Sequence, residues 1–432
     1  MNLRESESRS VGSSPLLVSL ASLIGLVFEF YDFLIFGFLA SVLSKLFFPT
    51  NNPISSLLLT FTAFATGYLL RPVGAIVFGH IGDRIGRRYT LVFTISIMAS
   101  ASLFSGLLPP YASIGVLAPV LLTAFRMMQG FSLGGEMGGA YTLTAEASPR
   151  SRRGIFMSVT SLSVPIAIIL TSSILGGVES LFPGQSFLSL GWRVLFFIGA
   201  LIGVIGMLIR LTISESLIFK KTVDEKRTVR IPLSEAIRGY WRRILIVLGL
   251  ISGGTVITYA SSVFALSYLV SIVKVPAGEA TVSVTVGYLA YLFLTVPFGV
   301  LSDIAGRKVN LLAGVVGLIL FIYPYFYMLS TGSFFYIIAA QSVLGIFQAL
   351  FTTGWTPIQT ELFPTKVRYT ALSFGAQISL AFFGGFTPLI STYLIEVTGF
   401  KLAPIYWAYI MLIVSFISVL LVKETKGIDM DF

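Results

Sequence analysis

"GHIGDRIGRR" (79–88) and "GVLSDIAGRK" (299–308) are one loop written twice. Gly79, Asp83, Gly86, Arg87 and Arg88 fall on Gly299, Asp303, Gly306, Arg307 and Lys308, a shift of 220 residues. A second pair, "EASPRSRR" (146–153) and "ELFPTKVR" (361–368), repeats at a shift of 215. Positive anchoring of short loops explains their arginines, but not the matched Gly, Asp, Glu and Pro. Two matches at nearly one offset imply related halves, an arrangement of parallel repeats found among transporters.

Between these loops the chain is apolar almost throughout. Hydrophobic residues make up 55% of the 432 and charged residues 11%, a composition for a membrane rather than for water. A spanning helix needs about 20 apolar residues. The sequence offers such runs near 15–47, 54–79, 89–108, 113–146, 154–179 and 192–213, then near 243–273, 279–302, 309–329, 333–361, 367–396 and 402–423. The expected fold is therefore an all-α membrane protein of twelve transmembrane helices in two six-helix pseudo-repeats. The expected domains are an N-terminal bundle over 1–213, a cytoplasmic linker with short surface helices over 214–242, and a C-terminal bundle over 243–432. The first apolar run is too long for a signal peptide and lacks a small-residue cleavage site, so it reads as a mature span.

The net charge of +10 is an orientation signal. With the N-terminus inside, all but six of the 29 Lys and Arg residues lie in cytoplasmic segments; Lys45, Arg193, Lys274 and Lys401 are outside, and Arg71 and Arg126 are within spans. That asymmetry places both termini in the cytoplasm and leaves no nucleic-acid patch. Cysteine is absent, no Gly-x-x-x-x-Gly-Lys-Ser/Thr loop exists, and His and Cys do not cluster. Neither a metal, a cofactor nor nucleotide-driven pumping is expected, and the chain reads as a transporter rather than an enzyme.

An ionised side chain inside a bilayer is expensive and faces the bundle interior with a partner or a task. The intramembrane cases are Glu29, Asp32, Arg71, Arg126 and Glu136. Asp32 lies about 16 residues from the start of its span and Arg126 about 20 from the matching end of its own, depths only about 6 Å apart. A contact between them is geometrically allowed, and Glu29, three residues before Asp32, shares its helix face. Moving a carboxylate toward or away from a guanidinium switches its proton affinity, so Asp32, Glu29, Arg126 and Glu136 are the candidate proton-coupling set. Glu136 reads equally as an inner-gate hydrogen bond. Arg71, before Pro72, reads as structural.

Arg126 and Gln129 share one face of span four. Gln341, Gln348 and Trp355 form a stripe at seven-residue spacing on span ten, where amides are costly against lipid. With Tyr31, Tyr259 and Gln377, these are the candidate substrate contacts. Asp83, Arg84, Arg87, Arg88, Glu146 and Arg153, with Asp303, Arg307, Glu361 and Arg368 in the second half, stand at helix ends where pairing closes the inner face. That makes them a candidate cytoplasmic gate.

The loop at 79–88 and the stretches "FEFYDFLIFG", "RPVGAIVFGHIGDRIGRR", "RMMQGFSLGGEMGGA", "ISESLIFKK" and "ELFPTKVRYTA" resemble the major facilitator superfamily and, within it, the metabolite:proton symporters. The resemblance implies two halves rocking about a central site, with small carboxylates or zwitterions such as proline and betaine moving together with protons. By the same resemblance, Asp32 and Arg126 match the acid and arginine of proton-coupled sugar porters. Those porters usually carry paired Gln in span seven, where this chain has "ISGGTVITYASS" (251–262). The expected function is proton-coupled symport of a small organic acid or zwitterion by a monomer in the cell membrane, with a proton-driven exporter of amphipathic cations or a sugar-porter-like transporter as the alternatives.

Overall fold

The computed structural model describes residues 14–430 except 86, 135 and 213–231. Helices account for nearly all of it. Span one is Pro15–Phe38, continued after a break at Leu39 by Ala40–Phe47. Spans two and three are Pro53–Ile85 and Arg87–Leu107. Span four comprises Leu117–Ser132 and Glu136–Ala147. Spans five to seven are Arg150–Leu181, Phe187–Leu208 and Arg238–Val273. Spans eight to ten are Ala277–Ala305, Arg307–Ser330 and Phe334–Glu361. The last two are Val367–Thr398 and Pro404–Leu421. Among the described residues, ten helices have the length and hydropathy to cross a membrane; the apolar part of span three is the shorter Val92–Leu107, and span four is interrupted.

Helices are the form these segments must take, because lipid offers backbone N–H and C=O groups no partner. Serine and threonine inside the spans follow the same rule: Ser105, Thr171 and Thr353 donate to the carbonyls of Ala101, Ala167 and Ala349 one turn back. Proline opens spans one, two and twelve at Pro15, Pro53 and Pro404, where its missing N–H costs nothing. Large apolar side chains cover the outside, with Phe293 at 70% and Leu320 at 72% exposure. Such a surface is stable only against lipid.

The packing repeats along with the loops. Span two lies against four as eight lies against ten, three against six as nine against twelve, and one against five as seven against eleven. Between the halves, five meets eight and two meets eleven, which are the same contact under a six-span shift. The duplication is thus structural as well as sequential.

One expectation differs from the structure. Span four is not one rod over 113–146: it breaks after Ser132, where Gly134 is pressed so tightly onto span two that a Cβ there would lie 2.1 Å from the Ala75 nitrogen. Of the linker, residues 214–231 lie outside the described residues; a short helix from Pro232 runs to the non-helical Tyr240 (φ −131, ψ 17), beyond which span seven continues.

At their glycines, spans four and two approach backbone to backbone. A Cβ on Gly130 would lie 1.7 Å from the Gly67 carbonyl oxygen. Gly130→Ala must push the two helices apart, at a cost of about 1–3 kcal/mol for overpacking. Thermal melting in detergent is expected to drop by several degrees; an unchanged melting temperature would contradict the close crossing.

Candidate functional site

Four charged side chains, all at most 2% exposed, meet inside the first half: Glu29, Asp32, Arg71 and Arg126. They sort into two circuits. Arg71, midway along span two, donates from Nη2 to Glu29 Oε1 at 2.8 Å and from Nε to Gln377 Oε1 at 3.1 Å. Arg126 donates from Nη1 to Gln129 Oε1 at 3.2 Å and from Nη2 to the Phe33 carbonyl at 3.0 Å.

The direct Asp32–Arg126 contact allowed by depth does not form. Gln129 stands between them: its Oε1 accepts from Arg126, and its Nε2 donates to Asp32 Oδ2 at 3.0 Å and to Ser102 Oγ at 2.8 Å. Ser102 in turn donates to Asp32 Oδ1. Because an amide accepts at one end and donates at the other, Gln129 relays between cation and anion without bringing them together. Span six closes the far side of Asp32 through Gly199, where a Cβ would lie 2.5 Å from Oδ1.

Aromatic rings wall the cluster. The Arg126 guanidinium carbon lies 3.5 Å from the Phe33 centroid and 4.7 Å from that of Phe64, and the Arg71 carbon 5.2 Å from Phe33. Cations over such faces gain roughly 0.5–2 kcal/mol each, more as water is excluded. Tyr68 donates to the Tyr259 hydroxyl at 2.6 Å, joining spans two and seven beside Arg71.

Tyr259 and Gln377 thus reach the charge cluster from the second half. Tyr31 is fully buried beside Asp32 in sequence, and its hydroxyl has no hydrogen-bond partner among the described residues. Gln341 and Gln348 of span ten lie apart from the cluster, against span seven: Gln341 Nε2 donates to the Ser261 carbonyl at 3.1 Å, and Gln348 Nε2 lies 3.4 Å from Ser261 Oγ. Tyr288 completes that group, 2.9 Å from Ser261 Oγ. Ser261 lies in a π-helical turn, Ala260–Phe264, a distortion frequent at functional sites. Trp355, two turns along the stripe, packs instead on Tyr141 of span four at 6.2 Å. Glu136 opens the second part of span four, and its side chain is outside the described residues.

At the loop-motif end the halves are bolted by charge. Asp303 accepts from the backbone nitrogens of Gly154 at 2.8 Å and Ile155 at 2.9 Å, across the interface, and from Arg307 at 2.6 Å. Arg153 reaches Glu361 at 2.8 Å, and Arg368 reaches Glu146 at 2.7 Å. Arg150 pairs with Asp429. Asp83, Arg84, Arg87 and Arg88 fall in the adjoining helix ends, and their side chains lie outside the described residues. Glu424, just past the last span, accepts from the nitrogens of Arg307, Lys308, Thr425 and Lys426. Partial burial pushes its carboxyl up, but those four donors outweigh it and hold it below the ordinary value. The opposite end is joined too: Asn52 donates to Glu396 at 2.8 Å and Ser271 to Ser41 at 3.2 Å. The arrangement is occluded, with polar ties at both ends and a charged cluster between.

Ser102, Tyr68, Ser261 and the Glu29–Arg71 pairing were not anticipated from the sequence. Hydroxyls in "MASASLF" (98–104) carry no periodic signal. For Arg71, the Glu29 carboxylate, assigned instead to proton coupling, was the available clue.

Twelve spans in a duplicated fold, closed at both ends around buried polar groups, define an alternating-access secondary transporter. Residues 17–231 match the family described as "Sugar (and other) transporter", and residues 248–428 that described as "Major Facilitator Superfamily". The chain is 34% identical over 396 residues, 91% of its length and 85% of the relative's, to a putative proline/betaine transporter of Staphylococcus aureus (strain COL). It is 30% identical over 416 residues to the proline/betaine transporter of Escherichia coli (strain K12), covering 94% and 83% of the two chains. A D-xylose-proton symporter crystal structure superposes with a TM-score of 0.72 at 18% identity, over 96% of this chain and 99% of that one. The chain belongs to the major facilitator superfamily, among its sugar-porter-like members.

Asp303→Asn removes the charge from the bonds that tie Gly154 and Ile155 across the interface, each worth about 1.5–3 kcal/mol. Spin labels on Arg152→Cys and Ile304→Cys, introduced into the cysteine-free chain, report the separation at that end. The long-distance population is expected to rise about tenfold, since 1.4 kcal/mol is a factor of ten; an unchanged distribution would contradict the closure described.

Proposed function

We propose that the protein is a proton-coupled symporter of a small zwitterionic metabolite of the proline and betaine kind. It acts as a monomer in the cell membrane with both termini cytoplasmic, and residues 1–213 and 243–432 rock about the 214–242 linker. The names of the relatives support the substrate class. The balance of the cluster supports it as well: two carboxylates and two guanidiniums accept a zwitterion without a net change of charge.

The observation that carries proton coupling is the set of partners around Asp32. Glu29 is in direct contact with a cation, whereas Asp32 is held by a serine and an amide. A carboxylate held by neutral donors takes up a proton without breaking an ion pair. In the ionised state, Arg126 fixes the Gln129 amide so that Nε2 faces Asp32. When Arg126 is drawn away, the amide is free to turn its oxygen to a protonated Asp32. Substrate and proton are thereby linked through one side chain. Asp303, Arg307, Glu361, Arg153, Glu146 and Arg368, with Asp83, Arg84, Arg87 and Arg88, act as the cytoplasmic gate, and Glu136 adjoins it.

The neutral group of Gln341, Gln348, Ser261 and Tyr288 favours a second reading, a sugar-like ligand held by hydrogen bonds alone. A panel of labelled proline, glycine betaine, citrate and D-xylose in proteoliposomes with an imposed proton gradient separates the two. Accumulation of betaine or proline is expected. Asp32→Asn is expected to lose gradient-driven accumulation at least tenfold while retaining counterflow of preloaded substrate. Undiminished accumulation by that variant would sink the proton assignment.

A further inference from the structure

The two charge circuits differ in reach. Asp32, Ser102, Gln129 and Arg126 belong to spans one, three and four, all in the first half. The Glu29–Arg71 pair continues into the second half, because Arg71 Nε donates to Gln377 on span eleven. Arg71 is 0% exposed, yet its Nη1 has no hydrogen-bond partner among the described residues. A guanidinium offers five N–H donors in a fixed fork, and a buried donor left unused is costly. The Gln377 acceptor is neutral, and a carboxylate makes a shorter bond, roughly twice as strong.

We infer that Arg71 is the anchor for the carboxylate of the transported solute, which docks on Nη1 and draws the guanidinium from Gln377. The inference rests on the zwitterion reading and deepens it. The cationic end of the solute then faces Tyr259, a ring of the second half 5.5 Å from that of Tyr68 and over which neither Arg71 nor Arg126 stands among the described residues. A solute so placed bridges the halves through its own two charges. It also competes for one of the two hydrogen bonds, Arg71–Gln377 and Tyr68–Tyr259, that tie span two to the second half beside the cluster. Arg71 therefore recognises the carboxylate and senses it in one event. Asp32, one turn beyond Glu29, is left to the proton, and Arg126, which shares the Phe33 and Tyr68 rings with Arg71, carries the solute's arrival to it.

Calorimetric binding to the purified full-length chain tests this with two probes that share a trimethylammonium group: glycine betaine, which has a carboxylate, and choline, which lacks one. The wild type is expected to prefer betaine at least tenfold; no preference would overturn the assignment. Arg71→Lys keeps a cation for Glu29 but loses the fork, and is expected to weaken betaine at least tenfold with choline unchanged. Because an unpaired Glu29 disturbs folding, the double variant Glu29→Gln/Arg71→Gln removes both charges together. With wild-type elution and melting, it is expected to bind the two probes equally. Gln377→Ala removes the competing acceptor and is expected to tighten betaine at least twofold. A betaine-to-choline ratio within twofold of wild type in the Arg71 variants, or a tenfold loss in Gln377→Ala, would overturn the inference. Binding of betaine with an intact Arg71 dependence but no proton-driven accumulation would refute the symport reading and uphold the Arg71 anchor.

Discussion

A carboxylate inside a bilayer must be neutralised, paired or solvated by fixed dipoles, and Asp32 takes the third course. Gln129 and Ser102 supply the dipoles, while Arg126, the nearby cation of its circuit, is kept at one remove by the same amide. A direct ion pair in so dry a place is held by a strong Coulomb term and yields slowly. An amide relay has two orientations that differ by the exchange of a donor for an acceptor. It therefore offers two discrete states rather than one deep minimum, the property required of an element that follows a transport cycle.

The remainder of the fold keeps that relay dry and movable. Glycine-lined crossings hold spans two and four backbone to backbone behind it, and span six seals it with Gly199. Polar ties close both ends across the interface: ion pairs at the loop-motif end, and at the other an amide-to-carboxylate bond and a hydroxyl pair. The asymmetry has a consequence. Charge-assisted bonds hold a closed end strongly, and where a partner already reaches water, as Glu146 does at 39% exposure, opening that end replaces partners instead of orphaning them.

The architecture was legible because duplication leaves two copies of every signal. The paired loops gave the repeat, and the same six-span shift relates helix contacts that no pattern of hydropathy states. Charges in the spans were legible because so few are tolerated there. Their partners were less so: similar depth brings Asp32 and Arg126 within reach, but a side chain of uncharged chemistry, Gln129, decides their geometry. Arg71 was read from its neighbour Pro72 and not from Glu29 forty-two residues away, since sequence carries no signal for which helix faces which. Ser102 and Ser261 act through positions set by helix rotation and by a π-helical turn, neither visible in composition.

The relay claim is tested most directly by counting protons taken up when glycine betaine is added to the purified protein in weakly buffered solution, comparing wild type with Gln129→Leu. Both Asp32 and Arg126 remain in that variant, and only the connection between them is lost. Substrate-linked proton uptake is expected in the wild type, and its loss in Gln129→Leu with betaine still bound. Equal uptake by the two proteins would show that Asp32 senses the substrate without Gln129 and would contradict the relay.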